Sequence, residues 1–123
     1  MHVLLVDDEV EFLEVLSKRL KKRNIAVTEA DSGRAALEAV STGPDFDVVV
    51  LDMKMPEMDG LSTLKELRRL RPKTEVLILT GHADMEAAVQ GIELGAFDYM
   101  VKPVGINELI FKLEDATRKR RAG

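Results

Sequence analysis

The chain contains no cysteine. Disulfides and thiolate metal sites are therefore excluded. No apolar run approaches the roughly 18 residues that a membrane-crossing helix needs. The opening residues, Met-His-Val-Leu-Leu-Val-Asp-Asp, carry no basic segment and reach acid too early for a secretory signal. No segment is repeated or low in complexity. No glycine-rich loop follows the first apolar run, where Asp7 and Asp8 stand instead, and this argues against a nucleotide-binding module. His2 and His82 are the only histidines and are not placed as a metal-binding pair. These absences lead to the expectation of a cytoplasmic protein without a membrane partner.

What remains is an ordinary globular composition. The 123 residues are 46% hydrophobic and 33% charged, which suits one domain spanning 1–123 with a single sizeable core. The net charge of -4 does not favour direct nucleic-acid binding. The exception is Arg118-Lys119-Arg120-Arg121. Arg118 to Arg121 read as a solvated helix end, helped by the helix dipole, with residues 118–123 a basic tail or the start of a linker. The chain stops soon after the last helical pattern. It is expected to be either a single-domain protein or one domain of a longer one.

The most telling stretch is Asp47-Val48-Val49-Val50-Leu51-Asp52. Val48 to Leu51 show no polar alternation, as in a strand buried on both faces. The run then stops on a carboxylate, which is unfavourable in a buried place unless something engages it. Similar short apolar runs occupy 3–6, 76–79 and 97–101, and 25–29 reads as an edge strand. Helical spacing fills the gaps. Phe12, Leu13, Leu16 and Leu20 follow Glu9, and Asn24 can stop that helix. Ser32-Gly33 starts a second helix, ended by Gly43-Pro44. Leu61, Leu64, Leu67 and Leu70 line a third, closed by Pro72. Asp84 suits the N-cap of a fourth helix running through Leu94 to Gly95. A fifth starts near Asn107, with Ile106, Leu109, Ile110 and Leu113 inward.

Five strands alternating with five helices imply an α/β fold: a doubly wound, five-stranded parallel sheet with helices on both faces. The flavodoxin-like order 2-1-3-4-5 leads. In such a sheet ligands bind at the carboxyl ends of the strands. Those ends deliver Asp7 and Asp8, Asp52, Thr80 and Lys102. Taken singly, each has an ordinary explanation as a helix cap, a turn residue or a solvated lysine. Taken together, they gather three carboxylates, a hydroxyl and an ammonium around one crevice. Carboxylates so grouped repel unless a cation joins them, and oxygen donors without thiolates select Mg²⁺ or Mn²⁺. A lysine and a threonine suit phosphoryl oxygens, and a carboxylate can itself become an aspartyl phosphate. The set looks built for phosphoryl transfer onto a carboxylate, by positioning and charge neutralisation.

Val6-Asp7-Asp8-Glu9, Leu51-Asp52, Met55-Pro56 with Met58-Asp59-Gly60, Leu79-Thr80-Gly81, and Tyr99-Met100-Val101-Lys102-Pro103 together resemble the CheY-like receiver domain of two-component response regulators. The resemblance covers essentially the whole chain, and no key position is substituted. It implies that Asp52 accepts a phosphoryl group from a phosphohistidine on a sensor histidine kinase or phosphotransfer protein. It implies Mg²⁺ held by Asp8, Asp52 and the backbone carbonyl of Lys54, with Asp7 acting through a metal-bound water. Lys102 would contact the phosphoryl group, next to a cis bond at Pro103. Thr80 would move towards that group and Tyr99 inward behind it. The fourth helix, fifth strand and fifth helix would then present an altered face to a downstream protein, a fused output domain or a second copy of the chain. Lys54 and His82 would overhang the site and tune the lifetime of the phosphoryl group. The resemblance implies a phosphoacceptor that assists its own modification, not an enzyme acting on other substrates. Gly81-His82-Ala83-Asp84 through Phe97-Asp98-Tyr99 is similar to receivers joined to ATPase-type transcription activators.

Two other readings compete. An aspartyl-phosphate hydrolase or phosphatase needs a second acid two residues after the nucleophile, and Lys54 stands there. A non-phosphorylated interaction domain of the same fold would not need the complete acidic site.

Overall fold

A computed structural model describes residues 1–123. The strands are β1 (His2–Val6), β2 (Ala26–Ala30), β3 (Val48–Asp52), β4 (Glu75–Thr80) and β5 (Asp98–Val101). They form one sheet in the order β2-β1-β3-β4-β5, and every neighbouring pair is parallel. The helices are α1 (Val10–Lys21), α2 (Gly33–Thr42), α3 (Gly60–Leu70), α4 (Met85–Glu93) and α5 (Ile106–Ala122). This is the doubly wound order expected from the strand and helix patterns. No helix is long and apolar enough to cross a membrane.

Alternate residues of each central strand enter different cores, as the pleat requires. Leu4, Val6, Val49, Leu51, Val76 and Ile78 pack under α2, α3 and α4, against Ala36, Val40, Leu64, Leu67 and Ala88. Val3, Leu5, Val48, Val50, Leu77 and Leu79 pack on the other face, against Leu13, Leu16 and Leu20 of α1 and Leu109 and Leu113 of α5. Strands buried on both faces need no polar alternation, which explains the uninterrupted valines of β3.

Local chemistry sets the ends. Asn24 takes a left-handed φ of 63° just past α1, as its stop role requires. Asp59 caps α3 by accepting the Ser62 amide at 2.8 Å. Gly60 opens that helix in a place where no side chain fits. A Cβ there would lie 2.5 Å from the Met53 Cα and 2.8 Å from the Asp52 carbonyl oxygen. The start of α3 thus rests on the backbone at the end of β3.

The basic stretch 118–121 is not a free tail. It forms the last turns of α5, which runs to Ala122. Arg120 pairs with Asp45 and Asp47, and Arg121 reaches Asp47 at 3.3 Å. The His2 amide also donates to Asp47, at 3.0 Å. These bonds tie the amino ends of β1 and β3 to the end of α5. The acids just before β3 hold arginines that looked solvated in the sequence.

Gly60→Ala is expected to destabilise the protein by about 2 kcal/mol, because backbone cannot yield as a flexible side chain can. Urea denaturation with an unchanged m-value would show it. An unaltered midpoint would contradict the close approach.

Candidate functional site

The parallel register brings the site together. Val6 lies beside Leu51, so Asp7, one residue on, reaches the level of Asp52. Asp52 lies beside Leu79, and Thr80 beside Val101, so Gly81 and Lys102 follow at the same edge. Single carboxyl-terminal residues of four strands therefore share one end of the sheet, at the point where β1 and β3 lie side by side and the chain winds off in opposite directions.

Ligand oxygens of Asp7, Asp8 and Asp52 all lie within 4.8 Å of one another. Asp7 and Asp52 are buried, whereas Asp8 is exposed. Asp7 has two partners: one oxygen accepts the Glu9 amide at 2.9 Å, and the other accepts the Lys102 ammonium at 2.8 Å. Lys102 also lies 3.5 Å from Glu9 and 3.9 Å from Asp52. Its ammonium sits 4.4 Å from the centre of the Phe12 ring. The Lys102–Pro103 bond is cis, and the Lys102 amide donates to the Thr80 carbonyl at 2.8 Å.

The electrostatics follow from this packing. Burial, followed by the neighbouring Asp7 charge, pushes the Asp52 carboxyl up to about 6, with a smaller push from Asp8. The Lys102 ammonium and the Lys54 backbone amide oppose that rise without cancelling it. Burial alone would lower Lys102. Asp7, Asp52 and Glu9 outweigh it and hold the ammonium above the usual lysine range. A site with more carboxylate than ammonium, and with one acid held up for want of positive charge, has the donor chemistry for a hard divalent cation.

Asp8, Glu9, Asp52, Lys54, Gly81, Asp84 and Lys102 line a crevice of about 340 Å³. Lys54 is therefore at the site. His82, expected to overhang it, is exposed in a one-turn 3-10 helix (His82–Asp84) and does not line the crevice. That turn, closed by the Asp84 amide on the Gly81 carbonyl at 3.0 Å, also changes the part played by Asp84. Asp84 precedes α4, yet its side chain caps nothing. A Cβ on Gly81 would lie 3.8 Å from its carboxylate, which is folded back to the crevice. Thr80 is fully buried and donates its hydroxyl to the Gly81 carbonyl at 3.2 Å. Tyr99 is half-buried on β5, packed against the core under α2, α3 and α4, away from the crevice.

Sequence reasoning did not assign Glu9, Asp84 or Phe12 to the site. Phe12 reads as a core-facing residue of α1, and its spacing carries no signal of a contact with Lys102. Glu9 adjoins the acidic pair, but only the position of Lys102 shows its contact.

The family described as "Response regulator receiver domain" matches residues 3–114. The transcriptional regulatory protein ZraR of Escherichia coli (strain K12) is 41% identical over 114 residues, covering 93% of this chain and 26% of that protein. The DNA-binding transcriptional regulator NtrC of Klebsiella pneumoniae is 38% identical over 112 residues, covering 91% of this chain and 24% of that protein. The chain thus spans about a quarter of the length of these curated relatives. Among solved structures, a response regulator receiver domain protein from Clostridium thermocellum superposes with a TM-score of 0.94 at 32% identity, covering 98% of this chain and 97% of that one. With the family matched over nearly its whole length and the acidic crevice in place, the chain belongs to the response regulator receiver domains of two-component signalling.

Proposed function

We propose that this domain is a phosphorylation-dependent switch whose acceptor is Asp52. The observation that carries this reading is the convergence of Asp7, Asp8 and Asp52 within 4.8 Å, with the Lys102 ammonium 3.9 Å from Asp52. The donor is a phosphohistidine of a sensor histidine kinase or phosphotransfer protein. An Asp52 oxygen attacks phosphorus, the phosphorus–nitrogen bond breaks, and the imidazole leaves with a proton from solvent. Asp7, Asp8, Asp52 and the Lys54 backbone carbonyl would hold Mg²⁺, with Mn²⁺ an acceptable substitute. When bound, the ion neutralises charge on the incoming phosphoryl oxygens.

Lys102 follows the new charge, because it already lies between Asp7 and Asp52. Thr80 gives up a single bond, to the Gly81 carbonyl, when its hydroxyl turns to the phosphoryl group. Bonds made in only one state shift the population towards that state. Tyr99 and the α4-β5-α5 face carry the change outward. Val89 and Ile92 of α4 are 52% and 39% exposed, an apolar surface suited to a protein partner, a fused output domain or a second copy of the chain. The domain is thus a cytoplasmic phosphoacceptor, with no membrane or nucleic-acid contact of its own and no separate substrate to turn over.

Incubation with Mg²⁺ and acetyl phosphate is expected to place one hydroxylamine-labile phosphoryl group on the protein, absent from Asp52→Asn. Failure to label would favour the non-phosphorylated interaction domain. Steady release of phosphate from other phosphate esters would favour the hydrolase.

The weakened acidity of the Asp52 carboxyl yields a stability prediction. Its folded value, about 6, lies above that of an unfolded aspartate, so the folded state keeps the proton longer as pH rises. Stability contributed by the protonated acid is present at low pH and is lost as pH rises through about 6. Without Mg²⁺, Asp52→Asn should therefore be more stable than the parent by about 2 kcal/mol at pH 8. The gap should close near pH 4 and narrow at pH 8 when Mg²⁺ is added. Parallel pH profiles for the two proteins would refute the electrostatic account.

Lys54→Ala should change the dephosphorylation rate severalfold, since Lys54 lines the crevice. His82→Ala should have the smaller effect. Unchanged lifetimes in both would remove these residues from the tuning role.

A further inference from the structure

Lys102 has an unstable allegiance. Three carboxylates lie around its ammonium: Asp7 at 2.8 Å, Glu9 at 3.5 Å and Asp52 at 3.9 Å. Glu9 is exposed and lies nearer the ammonium than Asp52 does, so it competes with the acceptor for Lys102. Charge alone does not hold the ammonium over the acceptor, because all three acids attract it.

Phe12 supplies what the acids do not. It lies in the first turns of α1, half-buried against the core shared by α1 and α5. Its ring centre is 4.4 Å from the Lys102 ammonium, within the range at which a ring face attracts a cation. The ring itself is uncharged and does not compete for protons or metal. The ring is held by helix packing, so it gives the flexible lysine stem a fixed seat. We propose that Phe12 is a positioning residue for Lys102, keeping its ammonium at the crevice, ready for the phosphoryl group on Asp52. The proposal rests on the phosphoacceptor reading above and assigns to it a residue of α1 that is neither acid nor switch.

The test compares the parent protein with Phe12→Leu, which keeps an apolar side chain without a ring, and with Phe12→Tyr, which keeps the ring. Two quantities are measured: the rate of Asp52 phosphorylation by acetyl phosphate with Mg²⁺, and the proton shift of the Lys102 ε-methylene in the free protein. In the parent and Phe12→Tyr the ring should displace that resonance upfield, and in Phe12→Leu the displacement should disappear. Phosphorylation of Phe12→Leu should slow on the order of fivefold, with Phe12→Tyr within about twofold of the parent. Should Phe12→Leu lose its fold by circular dichroism, Phe12→Met takes its place. A parental rate in the ringless variant overturns the proposal, as does a loss of rate that Phe12→Tyr fails to rescue. If the parent takes no phosphoryl group at all, the phosphoacceptor reading fails. The methylene shift then decides on its own: an unchanged resonance in Phe12→Leu overturns the seat, and its loss upholds it.

Discussion

Three carboxylates at the carboxyl edge of the sheet repel one another, and a single ammonium from the far strand holds them together. The bond from Lys102 to Asp7 joins the end of β5 to the end of β1, across β3 and β4 between them. Asp7 is buried and needs a positive partner, and Lys102 is drawn in by more negative charge than it can satisfy. The rest of the fold serves this arrangement. The doubly packed sheet fixes the strand ends, and the parallel register sets their levels.

The site is also unevenly anchored. On one side stand β1 and β3, buried on both faces and bonded along their length. On the other, Thr80 leads into a short 3-10 turn and then α4. That helix has nine residues, no side-chain cap and an interior glycine, Gly91. Glycine weakens a helix, but here a Cβ would meet Ile78 of β4 at 2.3 Å. Gly91 thus both permits the close seat of α4 on the sheet and adds to its low intrinsic stability. An element of that kind moves more readily than α3, which has an aspartate cap and three buried residues beyond its first glycine. The asymmetry suits the proposed route of change, from Thr80 outward through α4 and β5.

Much of this was legible in the sequence, for a physical reason. Strands buried on both faces need unbroken apolar runs, so an acid at the end of such a run stands out, as Asp7 and Asp52 do; Lys102 is marked only by its place past the last strand. The alternation of elements implies a parallel sheet, and the order β2-β1-β3-β4-β5 is the leading doubly wound arrangement that the structure adopts. Other features depended on where side chains turn, which spacing does not determine. Asp84 has the composition of a cap and the position of one, yet it folds back over Gly81. His82 is two residues beyond Thr80, but the tight turn leaves it exposed. Arg120 and Arg121 looked solvated because their partners, Asp45 and Asp47, are distant in sequence. Phe12 fitted the core face of α1, and nothing in its spacing showed that a lysine from β5 would lie over it.

The aspartates just before and at the end of β3 show how neighbours decide whether burial prevails over an acid. Burial raises both carboxyls and is the largest single influence on each. At Asp47 the His2 amide, then Arg121 and Arg120, overcome it, and the group is held below the usual aspartate range. Asp47 is thereby committed to one charged state and one set of partners, as a structural tie must be. At Asp52 the nearest charges are Asp7 and Lys102, of opposite sign, and burial prevails. That carboxyl is left near 6, ionised at neutral pH but short of positive charge. Only Val48 to Leu51 separate a satisfied acid from an unsatisfied one. The unsatisfied one is the group with something to gain from a cation, and with an oxygen still free to form a new bond.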